Sequence, residues 1–86
     1  MDDFQRNFRL RVEPQAATDA LEMVLAIVRR GGLALRSLRM EPGRHGVVVD
    51  LSLAAAEEDA LQLCRMRLCN VIGILKIRET GRYAPT

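Results

Sequence analysis

Hydrophobic residues change their spacing along the chain, and each change marks an element. Phe8, Leu10 and Val12 alternate with Arg9, Arg11 and Glu13, the period-two pattern of a strand with one buried face. Pro14, which has no N–H for a ladder, ends it. Leu21, Val24, Leu25 and Val28 recur at i, i+3, i+4 and i+7, which predicts a helix over Asp19 to Arg30. Thr18 is the expected N-cap, with Asp19 and Glu22 adding negative charge to the first turn. Arg29 and Arg30 suit the negative end of the helix dipole, and Gly31-Gly32 supplies the stop. A strand follows at once, from Leu33 to Glu41.

Pro42-Gly43-Arg44-His45-Gly46 reads as a hairpin connection. The next strand is Val47 to Leu53, with Val47, Val49, Leu51 and Leu53 facing in and Asp50 and Ser52 facing out. A second helix spans about Glu57 to Cys69, with Leu61, Cys64 and Leu68 as its apolar stripe. Arg65 and Arg67 lie near its end, and Asn70 is the expected left-handed stop. The last strand runs from Ile72 to Arg78, with Ile74 on the side opposite Leu75 and Ile77.

The second strand changes phase. Leu33 and Leu35 point one way, Leu38 and Met40 the other. Either an extra residue bulges out or both faces meet apolar partners, the second case suggesting an edge that meets another subunit. The order β-α-β-β-α-β is the ferredoxin-like, split βαβ arrangement of the α+β class. Right-handed crossovers then place both helices on one face of a four-stranded antiparallel sheet, in order 4-1-3-2. The whole of 1–86 reads as a single domain, with its core at about 8–79, a polar lead-in at 1–7 and a polar tail at 80–86.

Composition narrows the function. A chain of 86 residues buries only about 60–65% of its extended surface, so its core is thin and a partner surface helps. Apolar residues make up 49%, too many for disorder. Aromatic residues are only 3%, namely Phe4, Phe8 and Tyr83, which argues against modules that stack bases on a sheet. Net charge is +2 from 13 basic and 11 acidic residues, too near balance to imply nucleic acid or a membrane surface. No apolar run is long enough to span a bilayer and the start is not a signal peptide, so the expectation is a soluble cytoplasmic protein.

Catalytic and metal-binding sets are not expected. His45 is the single histidine and lies on the hairpin. Ser37 and Ser52 have no base nearby in sequence. Cys64 and Cys69, five positions apart on a helix, point about 140° apart, a poor geometry for a disulfide, and read as reduced. Glu57-Glu58-Asp59 reads as a solvated charge run opening the second helix. On the outer sheet face, Arg9, Arg11, Arg36, Lys76 and Arg78 form a basic surface with Asp50 against them. It is either an ordinary solvated face, a surface for an acidic protein patch or, less favoured because stacking aromatics are missing, one for RNA.

The unit Leu21-Glu22-x-Val24-Leu25-x-x-Val28-Arg29, then Gly32, Ser37 and Met40, resembles the first helix and second strand of ACT domains. In particular it resembles the short regulatory subunit of acetohydroxyacid (acetolactate) synthase of the isozyme II type. There the helix ends in a basic R-G-F/Y step, here Arg30 to Leu33, and the strand reads near I-x-S-L, here Leu35-Arg36-Ser37-Leu38. The likeness covers about residues 8 to 79. It implies a non-catalytic subunit that dimerises through Leu33, Leu35, Leu38 and Met40 and binds a large catalytic subunit. That partner would carry thiamine diphosphate, Mg²⁺ and FAD; this chain would hold no cofactor and no metal.

The resemblance also implies an amino-acid effector site between two protomers. An asparagine in the loop after the first strand falls at Ala16, a glycine at the helix start at Asp19, and a second asparagine at Ala34. All three depart from the family pattern. Alanine offers no side-chain hydrogen bond, and Asp19 sets a negative charge where an effector carboxylate would sit. The resemblance therefore implies weak or no feedback by valine or another branched-chain amino acid. A free-standing ACT domain sensing an amino acid is the alternative.

Overall fold

The computed structural model describes residues 4–80, so Met1 to Asp3 of the lead-in and the tail from Gly81 on, with Tyr83, lie outside the described residues. The elements are β1 (Phe4–Val12), a 3₁₀ turn (Pro14–Ala16), α1 (Ala17–Arg30), β2 (Ala34–Gly43), β3 (Gly46–Ala55), α2 (Glu58–Leu68) and β4 (Ile74–Glu79). All strand pairs are antiparallel and the sheet order is β2-β3-β1-β4, the expected ferredoxin-like βαββαβ topology. Phe8, Leu10 and Val12 of β1, with Val49, Leu51 and Leu53 of β3, are buried against Val24 and Val28 of α1 and Leu61, Cys64 and Leu68 of α2. Both helices thus cover one face, and the burial of this apolar surface is the main force holding the layers together.

β1 begins at Phe4, ahead of the alternating run, because its polar start still has a partner. Gln5, Arg6 and Asn7 stand opposite Ala54, Leu53 and Ser52 of β3, and the Gln5 amide donates to Ser52 Oγ at 3.1 Å.

The entry to α1 differs from the expected Thr18 cap. Ala16 occupies the N-cap position, without a side-chain cap, and Thr18 lies inside the helix. The 3₁₀ turn replaces the cap: Ala16 N–H donates to Glu13 O at 3.0 Å, and Ala17 N–H to Pro14 O. Main-chain carbonyls thus satisfy the N–H groups of the N-cap residue and of the first helical residue, two of the donors that a helix start leaves open. The exit follows the sequence more closely. Gly32 takes φ 70°, its N–H bonds Arg29 O at 3.2 Å, and Leu33 N–H bonds Val28 O at 3.1 Å. These are the two bonds of a Schellman stop.

The buried face of α1 is rotated from the Leu21-Val24-Leu25-Val28 stripe. Ala17, Ala20, Val24 and Val28 are buried, Leu21 is half-buried and Leu25 is exposed. The reason is Gly73, in the α2–β4 connection, which sits against Ala16 and Ala20. Small side chains on that flank let the connection approach and turn the leucine flank outward. After α2, Asn70 N–H and Val71 N–H close a tight turn on Arg67 O and Leu68 O, and the positive φ is taken by Gly73 at 103°.

Two bulges explain the phase changes. In β2 the register shifts between Leu35 and Ser37, leaving Arg36 as the extra residue. Leu35, Leu38 and Met40 then stand opposite Leu53, Leu51 and Val49, all on the helix-facing side. In β4 the register shifts so that Val12 meets Ile74 while Arg11 meets Lys76, and Leu75 is the extra residue. The expectation that Ile74 lies opposite Ile77 is therefore corrected: both pack against the core, and Leu75 is half exposed. A bulge keeps apolar side chains on one face where strict alternation would have sent one to solvent.

Candidate interaction surfaces

Three surfaces carry the residues singled out from the sequence. The first is the end of the sheet beside the start of α1. Ala16 is half-buried under Gly73, and Asp19 is exposed in the first turn. Ala34 opens β2, opposite Ala54, at the other end of α1. A helix of 14 residues separates them, about 21 Å at 1.5 Å per residue. One protomer places Ala16 and Asp19 together and Ala34 apart, so a site using all three needs two copies. Asp19 lies at the positive end of the helix dipole, the position a bound carboxylate would otherwise favour.

The second surface is the free edge of β2 and the adjoining flank of α1. Among the described residues β2 is hydrogen-bonded only to β3, which leaves one edge of its backbone unpaired by them. Leu33 and Leu38 pack against the core. Leu35 and Met40 lie on the same face yet stay 44% and 39% exposed, because the strand is the last in the sheet. Leu25, 38% exposed, lies by helix geometry on the flank of α1 opposite the one that meets Gly73. The result is an apolar border along one side of the domain.

The third surface is the outer sheet face. Arg9 stands opposite Arg78 and Arg11 opposite Lys76, so four cations form a block across β1 and β4. Arg9 also faces Asp50 of β3, and its Nε donates to Asp50 Oδ1 at 2.7 Å. That bond and charge raise the Arg9 pKa further, so the guanidinium stays protonated. Arg36 is not part of the block: it sits at the β2 bulge, with β3 between its strand and β1. Arg39 was missed, and it lies opposite Asp50 and pairs with Glu41 at 2.9 Å. The alternation of Leu38 and Met40 already puts Arg39 on the outer face once the bulge is placed.

Arg6 was also missed. Its position in phase with Phe8 and Leu10 puts it on the helix side of the sheet, where a lone cation needs partners. Its side chain is 15% exposed and reaches Glu58 at 2.8 Å, Gln62 at 3.3 Å and Glu79 at 3.6 Å, while Arg65 reaches Glu79 at 3.4 Å. Glu58 of the acidic run thus links α2 to β1, and Arg65 links it to β4.

The remaining polar candidates do not converge. His45 is exposed in the hairpin turn. Ser37 and Ser52 pair across β2 and β3, and Ser52 accepts from Gln5. Cys64 is buried and Cys69 exposed, both as free thiols. Burial pushes the Cys64 thiol pKa up to about 11, with Arg67 opposing weakly. Among the described residues no group of three or more His, Cys, Asp and Glu side chains is placed to hold a metal ion. Among them, too, no helix is long and apolar enough to cross a membrane.

No protein-family model and no curated protein matches the chain. Solved structures do. The C-terminal domain of the MgtC protein from Mycobacterium tuberculosis is similar, with a TM-score of 0.77 and 18% identity over 99% of this chain and 97% of that one. The ACT domain of GTP pyrophosphokinase from Chlorobium tepidum gives a TM-score of 0.73 and 14% identity over 93% of this chain and 100% of that one. A de novo designed protein, Foldit4, gives 0.70 and 13% over 92% and 97%. At such identities the likeness is one of fold. The chain has the ferredoxin-like βαββαβ fold seen in the ACT domain.

Proposed function

We propose that this chain is a non-catalytic regulatory subunit that works by association, and that its partner is the large catalytic subunit of acetohydroxyacid synthase. The observation that carries the reading is the helix–glycine–strand unit from Leu21 to Met40, whose sequence resembles that of the short regulatory subunits. It lies in an ACT-type fold, with Gly32 in the left-handed stop and an apolar border along β2. In this reading Leu35 and Met40, with Leu25 beside them, pair two copies edge to edge, while Leu33 and Leu38 support them from the core. The catalytic subunit holds thiamine diphosphate, Mg²⁺ and FAD, and the assembly is cytoplasmic.

The regulatory chain supplies no reacting group. It acts by binding the active conformation of its partner better than the inactive one, and a coupling of about 1–3 kcal/mol shifts that equilibrium about 5–150-fold. Ala16, Asp19 and Ala34 make the effector site a poor receptor for valine, so activation comes with weak feedback.

The test is synthase activity of the large subunit from the same organism, with and without this chain, across a valine titration. Strong activation with little inhibition is expected. Activation with strong inhibition keeps the role and refutes the argument from Ala16, Asp19 and Ala34. No activation, together with amino-acid binding by the isolated chain, replaces the subunit reading with a free-standing sensor.

A further inference from the structure

The geometry points to the outer sheet face as a docking surface for an extended, carboxylate-rich segment of another protein. The inference is independent of which enzyme the chain serves. It starts from a conflict within the sheet. Arg9 opposite Arg78 and Arg11 opposite Lys76 are two successive like-charge pairs on one face, and like charges directly opposite are unfavourable. Asp50 relieves Arg9 alone. Among the described residues no carboxylate pairs with Arg11, Lys76 or Arg78, and Arg11 Nε is shielded from solvent without a hydrogen-bond partner. Repulsion that the fold leaves unrelieved is relieved by an anion from outside.

The spacing says which anion. Arg9 and Arg11 are two residues apart on one strand, about 6.8 Å, and neighbouring strands are about 4.8 Å apart. The four cations therefore occupy a small rectangle. An extended peptide with carboxylates at alternate positions repeats at the same 6.8 Å or so and can meet both pairs in turn. Arg guanidinium groups bind carboxylates in a planar, two-pronged geometry suited to this. Single-stranded nucleic acid fits less well. The outer positions of β1 and β3 carry no aromatic side chain for a base to stack on. The block is also short, where a nucleic-acid backbone needs a longer track.

The test uses the whole chain, a short polyglutamate peptide and a uridine oligonucleotide of equal length. Lys76→Glu with Arg78→Glu turns both like-charge pairs into opposite-charge pairs, so the variant is expected to fold. Arg29→Glu with Arg30→Glu makes the same change in net charge at the end of α1. Polyglutamate should bind the native chain more tightly than the oligonucleotide does. The sheet variant should lose about tenfold or more in affinity, and the helix variant should stay within about twofold. Equal loss in the two variants, no binding of polyglutamate, or tighter binding of the oligonucleotide that the sheet variant abolishes, each overturns the proposal.

Discussion

Gly73 and Ala16 are in such close contact that a Cβ built on Gly73 would lie 2.9 Å from the Cβ of Ala16 and 3.5 Å from that of Ala20. Glu13 N–H also donates to Gly73 O at 2.8 Å. The chain entering β4 is thereby pinned to the chain leaving β1 and to the first turn of α1. Gly73→Ala should destabilise the domain by about 2–4 kcal/mol, from strain at φ 103° and from overpacking. Chemical denaturation measures it. A loss under about 0.5 kcal/mol would mean that the connection relaxes freely.

The free edge of β2 gives a second expectation. Sedimentation of the native chain should show a dimer, and Leu35→Lys with Met40→Lys should give a folded monomer. Both residues are well exposed in the single chain, so the substitutions leave its core intact. A double variant that remains dimeric would place self-association elsewhere.

The cation block makes a prediction about stability that is separate from binding. Lys76→Glu with Arg78→Glu should stabilise the isolated domain by about 0.5–2 kcal/mol, summed over two cross-strand pairs. The gain should shrink in molar salt, since these exposed charges are then screened. Melting temperatures at low and high salt decide it. A variant less stable than the native chain at low salt would show that the cations do not repel each other across β1 and β4.

Cys64 and Cys69 should behave differently. Cys69 is exposed and should react with iodoacetamide in the native state, whereas buried Cys64 should react only on unfolding. The Cys64 thiol is pushed up to about 11 from 9.0, so the folded state holds its proton more tightly than the unfolded state. Its contribution is complete below about pH 9 and is lost as pH rises toward 11. Stability measured across that window should fall, and less steeply in Cys64→Ala.

The sequence was most legible where one period ran uninterrupted. The Phe8-Leu10-Val12 and Val47-to-Leu53 alternations marked the two central strands because each has a buried face with paired neighbours on both sides. Gly32 was legible as a stop because little else takes that φ at low cost. The start of α1 was not: Thr18 is a good cap by type, but Pro14 had already turned the chain. The rotation of α1 was hidden for a related reason, since it depends on Gly73, more than forty positions away.

Of the surfaces, the paired arginines and lysine on β1 and β4 followed from alternation, with Arg36 set apart from them on β2 and Arg39 omitted because the bulge was not placed. Arg6 was overlooked because its partners, Glu58, Gln62 and Glu79, come from elements remote in sequence.

The extra residue in β2 gives that segment a parity. Removing Arg36 alone would restore strict alternation, with Leu35, Leu38 and Met40 still facing the helices, whereas removing Arg39 alone would turn Met40 away from them. Adding or removing two residues beyond the bulge would keep every later side chain on its present face. Loss of the one extra residue is therefore absorbed at the bulge, whereas elsewhere in the strand a single-residue change acts much as a frameshift acts on a message.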